Sequence, residues 1–177
     1  MKPLSLLTLL APIVVAGSLN AATDAFLKLD GIKGESTDAQ HLDTIEIESF
    51  SWGLSNTGAH ASGGGGGAGK VSMRDFSFTT RLSKATPQLL MACAGTNTIK
   101  QAVLFVRKSG SDRSDYYTIT LEDVLVSSLS QTGQGSSSTA GDSMPMEQVA
   151  LNFATVTISH TAADGTVTTG RAVRSPE

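Results

Sequence analysis

Short runs of Thr, Val, Ile and Leu that alternate with polar residues recur along this chain, and stretches rich in Gly and Ser separate them. The two longest runs cover residues 116–130 and 146–160. β-branched residues fit the pleated surface of a sheet, and clusters of Gly and Ser are typical of turns. A helical bundle needs Ala, Leu, Glu and Lys in quantity, whereas charged residues make up only 16% of this chain. The sequence therefore predicts an all-β protein with long loops.

Residues 1–21 differ in kind from the rest. Lys2 gives a short basic start, an apolar run covers residues 4–16, and small residues follow it, with possible cleavage after Ser18, Ala21 or Ala22. This run is too short to span a bilayer about 30 Å thick as a helix. The layout predicts a secretory signal peptide; a core helix or a mis-assigned start codon are the alternatives. Residues 22–177 are then expected to form a single domain, with no membrane insertion of the mature chain.

The apolar residues before and after Ser49 predict opposite buried faces for this segment. In an extended strand Ile45 and Ile47 would lie on one face, whereas Phe50 and Trp52 would lie on the other. Because a regular strand keeps its apolar residues on one face, a bulge or a sheet bend near Ser49 is expected. The alternative is a strand buried on both faces, in different surroundings.

Other strands follow from the same periodicity. Residues 24–30 and 71–80 alternate, and residues 101–108 (QAVLFVRK) are nearly continuously apolar, as expected of a central strand covered on both sides. Asp164 and Gly165 lie between short segments containing Thr and Val, which predicts a hairpin turn.

One interior helix is expected after residue 85. Thr86 is a candidate N-cap, Pro87 fits the first helical position, and Gly95 can end the helix. The apolar residues expected to share the side that covers the sheet are Leu89, Leu90 and Cys93. Cys93 is accordingly interpreted as a buried small hydrophobe rather than a nucleophile.

Residues 64–70 (GGGGAGK) nearly match the phosphate-binding loop G-x-x-x-x-G-K-[ST], but Val71 stands where the Mg²⁺-binding hydroxyl should be. The loop also leads into a strand pattern, so no helix N-terminus would face a phosphate. A pliable loop that meets another surface is the simpler interpretation, and no cofactor is expected.

Composition and motifs also argue against an enzyme and against a metal site. One Cys and three scattered His do not form a zinc-ligand pattern, and no G-x-S-x-G motif is present. His41, His60 and His160 are expected to be solvated, while Glu46 and Glu48 predict a solvated strand edge or an interface. An acidic chain (pI ≈ 5.6) without a basic cluster is a poor partner for nucleic acid.

From residue 22 onward the chain resembles the haemolysin-coregulated protein (Hcp) family, the inner-tube subunits of type VI secretion systems. The matching stretches keep the family order and are DAFLK (24–28), KGES (33–36), FSWGLS (50–55), the glycine run 63–69 followed by KV, FSFT (76–79), KATPQLLMAC (84–93), VLVSS (124–128) and VALNFA (149–154).

This resemblance implies a two-sheet antiparallel β-barrel with a short flanking helix, assembled into homohexameric rings. In this family, rings stack into a tube that a contractile sheath propels and a VgrG spike caps, and some small effector proteins travel inside the ring. The implied destination is extracellular, with a cytoplasmic stage before firing.

Two sets of site residues carry over by resemblance. Ser51 matches the family position that faces the lumen, where it would contact effectors, with a simple surface hydroxyl as the alternative. A ring-stacking loop is implied at Gly58, Gly63, Gly64, Gly65, Gly66, Gly67 and Gly69.

The chain departs from the family at both ends. Family members usually start at the position of Ala22, and the tail 166–177 lacks the aromatic residue that often follows the position of Gly170. The runner-up interpretation, favoured by the signal-like start, is a Sec-exported Hcp-like ring or binding module that acts outside the inner membrane and is not part of a tube.

Overall fold

A computed structural model describes residues 23–56, 71–108, 114–133 and 144–174. Antiparallel strands dominate this part of the chain, as the sequence predicts, and one short helix accompanies them. The strands are β1 (Thr23–Leu29), β2 (Ile45–Glu46), β3 (Ser49–Ser51), β4 (Leu54–Asn56), β5 (Val71–Met73), β6 (Phe76–Arg81), β7 (Ile99–Lys108), β8 (Asp115–Thr132), β9 (Met146–Asn152), β10 (Thr155–Thr161) and β11 (Val167–Val173). The helix is α1 (Thr86–Ala94).

The 18-residue strand β8 belongs to two sheets. Its first part pairs with β7 on one side, up to Val124, and with β10 on the other, up to Glu122. From Leu125 onward it pairs with β9. Asp123 adopts a positive φ of 54° between these two parts, and the register with β9 shifts between Val126 and Ser128. These irregularities turn the strand, so β8 carries the chain from the first sheet into the second.

The two sheets also meet on their far side, where β2 pairs with β1 and β3 pairs with β6. The Ile47 N–H donates to Ala25 O in the first sheet, and the next residue, Glu48, donates from its N–H to Thr79 O in the second. The sheet bend expected near Ser49 is therefore confirmed. The sheets close into a barrel in the order β8, β7, β1, β2, β3, β6 and β9, and β10 and β11 extend the first sheet beyond β8.

The core fills the interior of this barrel. Its largest fully buried apolar side chains come from both sheets and include Phe76, Phe78, Leu104, Ile119 and Leu151. Strand β7 lies between β1 and β8, which confirms the central strand expected at residues 101–108. Phe50 is less buried than its alternation suggests: it is 36% exposed and stacks on Phe76 with ring centroids 5.9 Å apart.

The helix α1 packs against β8, but two of its predicted details are wrong. The N-cap is Ala85, and the Thr86 hydroxyl instead accepts the Ser83 N–H and donates to Glu147 Oε1. Leu90 is 56% exposed although Leu89 is fully buried, because successive helical residues point about 100° apart. Gly95 ends the helix as expected, donating its N–H to Met91 O.

The hairpin predicted at Asp164 and Gly165 joins β10 and β11. Gly165 takes a φ of 84°, which glycine adopts without strain. The Thr166 N–H donates to Asp164 Oδ1, and this bond lowers the pKa of the Asp164 carboxyl. None of the helices in the described residues is long and apolar enough to cross a membrane.

The contrast between Leu89 and Leu90 gives a matched test of how α1 packs. Leu89→Ala is expected to lower the free energy of unfolding by about 2–5 kcal/mol, since it empties a buried site. Leu90→Ala should change it by no more than about 0.5 kcal/mol. Urea unfolding followed by far-UV circular dichroism, at one protein concentration, measures both. Equal losses in the two variants would contradict this placement of the helix.

Candidate functional site

Ser51 is the last residue of β3 and is exposed. It pairs across the strand with Ser77 of β6. Ser49 lies two residues earlier on the same face, where its hydroxyl shares a hydrogen bond of 2.6 Å with Thr79 Oγ1. The Ser51 hydroxyl is therefore displayed at the surface, a placement that both a lumen contact and a simple surface hydroxyl require.

The other implied site residues fall in residues 57–70, outside the described residues. They are Gly58, Gly63, Gly64, Gly65, Gly66, Gly67 and Gly69. His60 and the predicted signal segment 1–21 lie outside them as well.

A buried ion cluster is centred on Arg107. The Arg107 side chain is 6% exposed; its Nη2 donates to Asp38 Oδ2 at 2.6 Å and its Nε to Asp24 Oδ2 at 3.3 Å. Its guanidinium also lies 4.7 Å from the centroid of the Phe26 ring. The hydrogen bond from Arg107 holds the pKa of Asp38 well below its usual range, and the same contact raises the pKa of Arg107.

The loop that carries Asp38 is shaped by its own backbone. Gly34 donates its N–H to Asp43 O and lies so close to Thr44 O that a Cβ would clash there. Asp38 Oδ1 accepts the N–H groups of Gln40 and His41, which leaves Oδ2 for Arg107. The close approach of Gly34 to Thr44 thus fixes the base of the loop, and the hydrogen bonds of the Asp38 carboxylate fix its tip.

His41 is buried, so the expectation that it is solvated is wrong. It is 5% exposed, and its ring lies between the rings of Phe26 and Phe105, with centroids 4.6 and 4.8 Å away. Its Nε2 shares a hydrogen bond of 3.0 Å with Asp115 Oδ1 of β8. Phe26 and Phe105, on two adjacent strands, form a slot that the His41 ring of the loop occupies. His160, in contrast, is exposed as expected.

A cleft of about 670 Å³ lies beside the Arg107 cluster. It is lined by the start of β1, by residues 37–39, by residues 46–48 and by Arg107. Glu46 and Glu48 are exposed here, in agreement with a solvated strand edge. Glu48 forms an ion pair of 2.8 Å with Arg81, whereas Glu46 has no ion-pair partner among the described residues. The described lining residues thus include four carboxylates and one guanidinium.

Glu147, like Arg107, is a charged side chain that is buried. It is buried on β9, accepts a hydrogen bond from the Thr86 hydroxyl at 3.1 Å, and lies 3.5 Å from Gln131 Nε2. It ties the start of α1 to the second sheet. Within the described ranges, no group of three His, Cys, Asp or Glu side chains could hold a metal ion.

Sequence reasoning missed the Arg107, His41 and Glu147 contacts. The one available signal was Arg107 itself, a charged residue inside the apolar run 101–108. Such a residue needs paired carboxylates nearby, but their identity depends on how a distant loop folds.

Comparison with known proteins places these features in a family context. Residues 26–160 match the family model described as "Type VI secretion system effector, Hcp". The protein hcp1 of Pseudomonas aeruginosa is 43% identical over 140 residues, which are 78% of this chain and 83% of that protein. The crystal structure of Hcp1 from Salmonella typhimurium has a TM-score of 0.70 at 31% identity, covering 86% of this chain and 95% of its own. A type VI secretion system effector from Yersinia pestis has the same TM-score at 26% identity, covering 85% and 99%.

The lowered pKa of Asp38 gives a pH-dependent test of the ion cluster. Because folding lowers this pKa, the contribution to stability is present above the ordinary value of 3.8 and is lost as the pH falls below it. Asp38→Asn should therefore lower the melting temperature at pH 6, and its difference from the unsubstituted protein should shrink below pH 3.8.

Asp30→Asn is the matched control, since the Asp30 side chain makes no hydrogen bond or ion pair within the described residues. Melting curves recorded from pH 6 to pH 2.5 measure both variants. A difference for Asp38→Asn that stays constant over this range would contradict the ion pair.

Proposed function

This chain belongs to the Hcp family of type VI secretion system proteins, and we propose that it is a structural subunit of the secretion tube. Proteins of this family are secreted by the type VI system and form its rings and tubes. The family is one of structural secretion proteins rather than enzymes. The observation that carries the proposal is the 43% identity to hcp1 of Pseudomonas aeruginosa over 140 residues.

The fold supports a role in assembly. The described residues form a small closed barrel, and the β10–β11 hairpin extends one sheet beyond it. Exposed strand edges are an aggregation hazard in a free subunit, and docking of neighbouring subunits covers them. A head-to-tail contact whose rotation closes produces a ring. On this proposal six copies form the ring, rings stack into the tube, a contractile sheath surrounds it, and a VgrG spike caps it.

Two groups of residues have assigned roles in this proposal. Ser51, displayed at the end of β3, contacts small effector proteins carried in the lumen. The glycines of residues 58–69 lie at a ring face and take part in stacking. The protein is cytoplasmic before firing and extracellular afterwards.

A second candidate function follows from residues 1–21. Their basic start, apolar run and small residues have the layout of a secretory signal peptide. If they direct export through the Sec pathway, the chain is periplasmic and acts as an Hcp-like ring or binding module outside the inner membrane.

Negative-stain microscopy with mass photometry tests the tube proposal on protein that begins at Ala22. Six-membered rings are expected, some of them stacked, because the family contacts should be present in this chain. A uniform monomer would contradict the tube proposal and favour the exported binding module. N-terminal sequencing of protein expressed from the full sequence shows whether residues 1–21 are removed.

Ser51→Gln tests the lumen assignment. The longer side chain is expected to leave ring formation unchanged and to lower the amount of effector that co-purifies with the rings, since it occupies space at the lumen wall. Quantitative mass spectrometry of purified rings measures the co-purified protein. Ser72→Gln, at an exposed serine of the separate two-stranded β4–β5 sheet, is the control. Equal effector recovery from both variants would remove Ser51 from the lumen.

A further inference from the structure

Asp75 gathers side chains from several distant parts of the chain. It lies in the two-residue link between β5 and β6, and its Oδ2 accepts a hydrogen bond of 2.6 Å from the Ser127 hydroxyl of β8. Its Oδ1 accepts one of 2.8 Å from Asn152 Nδ2 at the end of β9. Arg174 follows β11, and its Nη2 lies 3.8 Å from the same Oδ1. One carboxylate thus connects this link to β8, to β9 and to the end of β11.

Arg174 is held so that its guanidinium faces Asp75. The Arg174 N–H donates to Ala154 O at 2.8 Å, its Nε donates to Phe153 O at 3.0 Å, and its Cζ lies 5.6 Å from the centroid of the Phe153 ring. Its Nη2 is buried and makes no hydrogen bond within the described residues. Because a buried donor without a partner is unfavourable, a closer approach of Nη2 to the Asp75 carboxylate stabilises the contact.

The ribbon formed by β4 and β5 has few other attachments to the barrel. Its two strands have three residues each and form a sheet separate from the large one. All residues of β4 are exposed, whereas Met73 of β5 is buried and Val71 packs against the core. A two-stranded ribbon alone is at most marginally stable in water. Its position therefore depends on these apolar contacts and on the hydrogen bonds of Asp75, which follows the ribbon in the chain.

The same ribbon flanks the segment that the family resemblance assigns to ring stacking. Strand β4 ends at Asn56 and β5 begins at Val71, so residues 57–70 start and finish at the ribbon. Asn56 and Val71 lie opposite each other at one end of the ribbon, and Asp75 follows the other end. A rotation of the ribbon at the Asp75 end therefore displaces both ends of the segment.

We propose that Asp75 and Arg174 form a positioning pair that couples the end of β11 to the β4–β5 ribbon and so sets where residues 57–70 are presented to the next ring. Opposite charges hold the pair together, and the hydrogen bonds from Ser127 and Asn152 keep the carboxylate in place. The coupling acts within one subunit, whereas its effect on stacking rests on the proposed function.

Hydrogen exchange tests the coupling in the chain expressed from its full sequence. Arg174→Met keeps an unbranched side chain and removes the guanidinium, so the amides of β4 and β5 are expected to exchange about threefold to tenfold faster than in the unsubstituted protein. Asp75→Asn should give a similar rise, because its amide can keep both neutral hydrogen bonds but lacks the charge. Mass spectrometry of peptides that cover the two strands, at one protein concentration, measures the exchange.

Three further variants separate the pair from other causes. Arg74→Met removes a cation from the same link that forms no ion pair within the described residues, so exchange in the ribbon should stay unchanged. Arg174→Lys keeps the positive charge and should recover part of the protection. Asp75→Asn combined with Arg174→Met should raise exchange no further than the larger single effect, since either change alone already breaks the pair. Circular dichroism checks that each variant is folded.

Negative-stain images of the same variants test the effect on stacking. Arg174→Met and Asp75→Asn are each expected to lower the stacked fraction of rings by about threefold or more, because the ribbon no longer holds its direction. Mass photometry should show as many rings as in the unsubstituted protein. Arg174→Lys should recover part of the stacking, and Arg74→Met should stack normally.

The outcomes distinguish this inference from the proposed function. Ribbon exchange that is unchanged in both Arg174→Met and Asp75→Asn would overturn the coupling, whether or not rings form. An equal rise in Arg74→Met would overturn the pairing of Arg174 with Asp75 as its cause. A stacked fraction that stays unchanged despite faster exchange would overturn the role in stacking alone. Unsubstituted protein that remains monomeric at every concentration would overturn the proposed ring and the stacking role, while the exchange result still decides the coupling.

Discussion

The course of β8 through two sheets determines how the barrel is built. Strand β8 pairs with β7 up to Val124 and with β10 up to Glu122, and it pairs with β9 from Leu125 onward. Because one strand serves both sheets, the barrel needs only one other closure, and the crossing at Ile47 and Glu48 provides it. The core, the position of α1 over β8 and the outward course of β10 and β11 all follow from this bend.

Much of the fold could be predicted because its cause is local. The alternation that changes side around Ser49 marks the crossing between sheets, and Gly165 marks the last hairpin, since each feature depends on neighbouring residues. The exposure of Leu90 could not be predicted with the same certainty. Leu89 and Leu90 are adjacent and equally apolar, and only the orientation of α1 on the barrel decides which of them is buried.

The buried polar contacts could not be predicted because their partners are distant in the sequence. Arg107 meets Asp38 across 69 residues, and His41 meets Asp115 across 74. A loop residue such as His41 has no pattern that predicts burial, since the slot it fills is formed by Phe26 and Phe105 on two different strands. The Ser51 assignment came from family resemblance, and the structure adds only that the residue is exposed at the end of β3.

Open strand edges occur in both the barrel and the hairpin. Among the described residues, β3 pairs only with β6, the part of β8 from Leu125 onward pairs only with β9, and β11 pairs only with β10. Strand β11 contributes little to the buried core, since six of its seven residues are exposed, whereas β10 supplies the buried Val156. The bend in β8 that joins the two sheets therefore also leaves β10 and β11 outside the barrel, with the outer edge of β11 unpaired among the described residues.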